Sequence, residues 1–216
     1  MLIIPAILVN NEKDFLNQTT AVENCTNLIQ LDIGDGIFSK NKTWADPEFI
    51  KKQNLNLDLE LHLMVEHPLK ELKKWIDVEQ VRRVLIPYEC KDDLMSIIDF
   101  IDEQGWEKGI VLNPETSISV LNEYLDNFTH ILFMSVTPGA QGQKFIPETL
   151  NKIIAFKQNN PEHFIEVDGG INEKTLPALV KTRVDALCIG SAIFSQEKSP
   201  AEQIHYFEQL INSLTE

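Results

Sequence analysis

The chain has 216 residues, 43% of them hydrophobic, and a formal net charge of −14 at pH 7, which suits one domain with a full core. Such an acidic chain is not expected to bind nucleic acid or an anionic membrane, because both demand a basic face, and any anionic ligand has to be held locally by backbone N–H groups. The run Met1 to Leu8 has no basic region and no cleavage signal, no apolar stretch approaches a membrane span, and Cys25, Cys90 and Cys188 form no Cys-x-x-Cys pair; a cytoplasmic protein with reduced core thiols is expected.

Along the chain, short apolar or β-branched runs alternate with longer amphipathic stretches. Strands are predicted to begin near Leu2, Leu28, Leu57, Val81, Lys108, His130, Phe164 and Val184, and helices to cover Leu94 to Glu103, Pro147 to Gln158, Glu173 to Lys181 and Pro200 to Leu214. Short connections without a Ser/Gly-rich linker predict an α/β fold, a (β/α)8 barrel that spans residues 1–216 as one domain. An open doubly wound sheet is the alternative, but the segment Val9 to Glu12 after the first strand lacks the glycines of a dinucleotide turn. Asn172 to Thr175 and Ser199-Pro200 carry helix-start signals.

Several predicted strands end on groups that carry protons or bind metals, and a parallel barrel gathers such strand ends at one mouth. Leu28 to Asp32 ends on a carboxylate before the turn Gly34-Asp35-Gly36, where Asp32 reads equally as a turn former. In Glu60-Leu61-His62-Leu63-Met64 the alternation puts Glu60, His62 and Met64 on one face, inward in a barrel, with Met64 nearest the mouth. A lone strand histidine is more often a satisfied core group. Met64 and Met134, each ending a strand run, read as core filler or as a water-excluding wall. The loop after His130 to Val136 contains Gly139, Ala140, Gln141 and Gly142, a lid over a phosphate or a plain surface turn.

Phe164 to Asp168 runs into Gly169-Gly170, where the backbone can approach a ligand and a helix starting near Asn172 would aim its N–H groups at an anion. Gly190-Ser191 repeats the device after the last strand. Paired loops of this kind recur as a phosphate site in barrels.

With these residues located, the whole chain resembles the ribulose-phosphate 3-epimerase family. The likeness runs through Ile4-Pro5-Ala6-Ile7-Leu8, Leu31-Asp32, Leu61-His62-Leu63-Met64, Gly109 to Pro114, Met134 to Gly139, Glu166 to Ile171 and Gly190 to Phe194. The resemblance implies a (β/α)8 barrel that interconverts ribulose 5-phosphate and xylulose 5-phosphate and assembles as a homo-oligomer. It implies Asp32 and Asp168 as the two proton carriers and a divalent ion (Mg, Mn, Zn or Fe) held by both and by His62. His62, Met64, Met134, Gly139 to Gly142, Gly169, Gly170, Gly190 and Ser191 would line the sugar-phosphate site.

The departures matter as well, among them Ile37 and Pro87 at two positions where the family has histidine. Ala6 stands where the family has serine, and Gln30 where it has a histidine metal ligand. A glutamine oxygen suits Mg²⁺ or Mn²⁺ and replaces imidazole poorly toward Zn²⁺ or Fe²⁺, so the expected metal ranges from a hard cation to weak binding or none. Gly34 replaces a methionine of the site wall and Gln141 a glycine of the phosphate loop. Two other readings stay open: a non-catalytic relative that binds a sugar phosphate, and an epimerase for a bulkier ketose phosphate, such as a hexulose 6-phosphate, in room opened at Gly34.

Overall fold

Eight parallel strands pair in sequence order and close, the last onto the first, in a computed structural model whose described residues are 1–215. Glu216, the end of the expected span, lies outside the described residues. The first half of the chain contains β1 (Leu2–Ile7), α1 (Glu12–Val22), β2 (Leu28–Gly34), α2 (Pro47–Ile50), β3 (Asp58–Met64), α3 (Pro68–Leu72), β4 (Val81–Pro87) and α4 (Leu94–Gln104). The second half contains β5 (Glu107–Leu112), β6 (His130–Met134), α5 (Glu148–Asn159), β7 (Phe164–Asp168), α6 (Leu176–Thr182), β8 (Ala186–Ile189), α7 (Ser191–Phe194) and α8 (Pro200–Thr215). Two short 3-10 segments, Ile118–Glu123 and Leu125–Asn127, take the helix position between β5 and β6.

The strands close because each is buried on both sides, with mostly apolar residues. Side chains of period two form an inner cluster that includes Ile4, Ala6, Leu85, Val111, Leu132, Met134, Ala186 and Cys188. Their neighbours, among them Ile7, Leu31, Leu61, Val84, Ile131, Phe133, Val167 and Leu187, join the larger cluster under the helices. Each such aliphatic side chain contributes about 1.5–3 kcal/mol when fully buried, and an open sheet would forfeit that at two edges. The register then sets the chemistry at common levels: Gln30 faces Glu60 and Asp32 faces His62 between β2 and β3, while Met134 faces Asp168 between β6 and β7.

Two expectations need correction. The helix expected from Glu173 begins at Leu176, because Pro177 has no N–H and is tolerated only in a first turn. Asn172 instead makes a turn of its own, its Oδ1 accepting from Lys174 N at 2.9 Å. The expected helix N-terminus facing the glycines is therefore displaced by this turn. The cysteines are free, as expected, but they are not all core thiols: Cys25 is exposed, Cys90 half-buried and Cys188 buried. Among the described residues no helix is long and apolar enough to cross a membrane.

Candidate active site

Asp32, His62 and Asp168 meet at the C-terminal mouth of the barrel. Each sits on the inward parity of its strand, β2, β3 or β7, and each offers a ligand atom within 4.8 Å of the others. His62 Nδ1 lies 2.9 Å from Asp32 Oδ1 and 3.5 Å from Asp168 Oδ2. Burial works against a charged imidazole here, but the hydrogen bonds and charges of Asp168 and Asp32 outweigh it and push the pKa of His62 up to about 10. Burial also raises the pKa of Asp32; the Asp168 charge adds to it, while bonds from His62 and Gln30 pull the other way.

Gln30, one inward position below Asp32, bridges the acids. Its Nε2 donates to Asp32 Oδ1 at 2.9 Å and to Asp168 Oδ2 at 2.8 Å, and its Oε1 is buried without a partner. A half-turn of the carboxamide would bring that oxygen to the carboxylates. Three buried anionic or imidazole donors and one orphaned amide oxygen therefore fit a hard divalent cation. The backbone of β2 is fixed by Thr43, whose hydroxyl donates to Asp32 O at 2.8 Å and accepts from Gly34 N at 2.9 Å.

Around this trio lie Met64, Met134, Gly139, Ala140, Gln141, Gly142, Gly169, Gly170, Gly190 and Ser191, which together with Asp32, His62 and Asp168 line one cavity. Gln30 is beneath it. The two methionines supply an apolar wall next to the acids. Gly170, at φ +63°, is where the loops after β6 and β7 touch: a side chain there would come within 2.6 Å of Phe145 N. Ser135 pins the same turn by donating to Asp168 O at 2.9 Å and Gly169 O at 2.6 Å.

Leu8, Val136, Ile171 and Cys188 also line the cavity, unanticipated by the sequence reading. Leu8, Val136 and Cys188 were within reach of it, since they lie two positions beyond the inward Ala6, Met134 and Ala186. The room expected at Gly34 is absent. A Cβ there would stand 2.7 Å from Asn41 O, with Ser39 Oγ and Thr43 Cγ2 close behind, so the segment 39–43 fills the space of the missing side chain.

One layer below the trio a second charged group fills the barrel. Arg83 Nη1 bonds Glu60 Oε2 at 2.6 Å and Glu166 Oε1 at 2.8 Å, and Cys188 Sγ donates to Glu166 Oε2 at 3.9 Å. Burial raises the pKa of both acids, Glu166 well above the usual carboxylate range, and the Arg83 charge opposes it. The guanidinium already occupies the position a cation would take between these carboxylates.

Comparison with known proteins identifies the family. The Ribulose-phosphate 3 epimerase family model matches residues 2–194. The chain is 32% identical over 206 residues to ribulose-phosphate 3-epimerase of Bacillus subtilis, covering 90% of this chain and 92% of that one. It is 30% identical over 208 residues to the enzyme of Aquifex aeolicus, covering 93% of each. Among solved structures it superposes on KGPDC from Streptococcus mutans in complex with D-R5P, with a TM-score of 0.76 over 98% of this chain and 97% of that chain at 13% identity. It also superposes on 3-hexulose-6-phosphate synthase from Salmonella typhimurium, with a TM-score of 0.73 over 99% of this chain and 100% of that one at 15% identity. At these identities the two structures speak for the fold alone.

Proposed function

Since the chain belongs to the ribulose-phosphate 3-epimerase family, and is an isomerase of the epimerase kind, we propose that it interconverts ribulose 5-phosphate and xylulose 5-phosphate through Asp32 and Asp168. Inverting a carbon next to a carbonyl requires a base on one face of the substrate and an acid on the other, with an ene-diolate between the two proton transfers. The observation that carries the reading is the meeting of two carboxylates from β2 and β7 at one imidazole, 2.9 and 3.5 Å away. In one direction Asp32 takes the C3 proton and Asp168 returns one to the opposite face; in the other their roles reverse. A raised pKa at Asp32 suits a group that must hold a proton in half of the cycle.

His62 orients both carboxylates and balances their charge. Gln30 holds them from below. The wall of Met64 and Met134 excludes water from the reacting carbon, which strengthens each polar contact there. A divalent cation, for which Asp32, His62, Asp168 and the Gln30 oxygen are the donors, would supply Lewis-acid stabilisation of the ene-diolate oxygens, and the donor set favours Mg²⁺ or Mn²⁺. The substrate phosphate is assigned to the backbone of Gly139 to Gly142, Gly169, Gly170, Gly190 and Ser191, which suits a cavity whose lining, among the described residues, holds no Lys or Arg.

Asp32→Asn and Asp168→Asn test this. Each should lower kcat on ribulose 5-phosphate by about 10²-fold or more, the usual contribution of one acid or base, with a smaller change in KM. Near-normal turnover in either variant would refute the assignment. A second reading, a sugar-phosphate binder without turnover, is favoured by the Gln30 amide clamped on both acids. On that reading a phosphorylated sugar raises Tm, Asp32→Asn leaves the shift intact, and no ketose phosphate is converted.

A further inference from the structure

One side chain nearly closes the mouth of the barrel. The cavity over Asp32, His62 and Asp168 has a volume of about 40 Å³, whereas pockets that take small organic ligands are typically of roughly 300 Å³ or more. Its enclosed part admits little more than water-sized groups. Gln141, on the loop between β6 and α5, accounts for the obstruction. Its Nε2 donates to Ala6 O on β1 at 3.0 Å, and β1 and β6 are not neighbours in the barrel, so the side chain spans the opening. The carboxamide lies against Gly190 so closely that even a methyl group at 190 would collide with it.

Gly139 and Gly142 flank Gln141 with φ of +106° and +73°, left-handed conformations that glycine adopts without strain. The loop is seated by bonds that displacement of the Gln141 side chain need not break: Asn41 Nδ2 donates to Gly139 O at 2.8 Å and Gln143 Nε2 to Ala140 O at 2.9 Å.

We propose that Gln141 gates the phosphate seat: its carboxamide stands where a ligand phosphate has to lie against Gly190 and Ser191, and a phosphate binds by displacing the Gln141–Ala6 hydrogen bond. This rests on the phosphate seat of the proposed function and gives that seat its selectivity. A ligand without an anionic group gains too little from the backbone N–H groups to offset the lost bond. The side chain is thus a specificity determinant, while the backbone at 141 remains part of the seat.

Calorimetric titration of the full chain with inorganic phosphate, beside ribulose 5-phosphate kinetics, tests the gate in Gln141→Gly and in Gln141→Ala, which keeps the loop backbone stiffer. Both variants should bind phosphate about fivefold more tightly than the parent, the worth of one net hydrogen bond, and show a lower KM. Equal or weaker phosphate binding in both, with the parent binding, would overturn the gate alone. Failure of all the proteins to bind phosphate would overturn the gate and the phosphate seat together.

Discussion

The carboxamide of Gln30 can present either end to Asp32 and Asp168, and only one of them could serve a bound cation. With Nε2 inward it is a clamp on two acids; with Oε1 inward it is a fourth oxygen donor, and Oε1 is the end that now lacks a partner. Replacing it with imidazole adds a softer ligand. Gln30→His is therefore expected to raise affinity for Zn²⁺ relative to Mn²⁺ by about tenfold or more, read by competition binding. An unchanged ratio would mean that position 30 does not reach the ion. Asp32, His62 and Asp168 were legible in the sequence because each sits at inward parity on an apolar run near a turn. Arg83 was not. It stands beside Arg82 at the start of β4, and a register shift between Leu59 and Glu60 on the facing strand decides which of the two arginines points inward.

At the scale of elements, Arg83 ties β3, β4 and β7 through Glu60 and Glu166, and reaches Glu107 on β5 at 2.9 Å. Removing the guanidinium strands two buried carboxylates, so Arg83→Met should cost about 3–5 kcal/mol in denaturant unfolding. Replacing all three groups with apolar residues should recover most of that loss. If the single variant were as stable as the parent, the cluster would not be holding these strands. The strand starts and the bounds of α4, α5 and α8 could be read from the alternation of apolar runs with amphipathic stretches, whereas α1, α2, α3 and α7 were not placed. The turn at Asn172 could not be read, since an N-cap residue and an Asx turn have the same sequence and only Pro177 argues between them. Nor could the fate of Gly34, whose missing side chain is replaced by a segment several residues further on.

Across the whole molecule, acid stability depends on groups that fold in the wrong charge state for low pH. His130 is one: burial, aided by the Arg83 charge, lowers its pKa from 6.5 to about 4. The unfolded chain therefore takes up a proton that the native protein refuses, and stability falls as pH drops from about 6.5 towards about 4, with no further loss from this group below that. Urea midpoints at pH 7 and pH 5 should differ less in His130→Gln than in the parent; an equal difference would show that His130 is free to titrate in the fold. The raised carboxylates of the barrel interior act in the opposite sense and are common to both proteins, so the comparison isolates the histidine. Above stability stands the proposed reaction, in which Asp32 of β2 and Asp168 of β7 would act from opposite sides of one carbon. Conversion of ribulose 5-phosphate in D2O, with Mg²⁺ or Mn²⁺ supplied, reads that directly. The account predicts xylulose 5-phosphate labelled with deuterium at C3, with formation and label both abolished by Asp168→Asn; bound but unconverted ribulose 5-phosphate, with Mg²⁺, Mn²⁺, Zn²⁺ and Fe²⁺ alike, would contradict it.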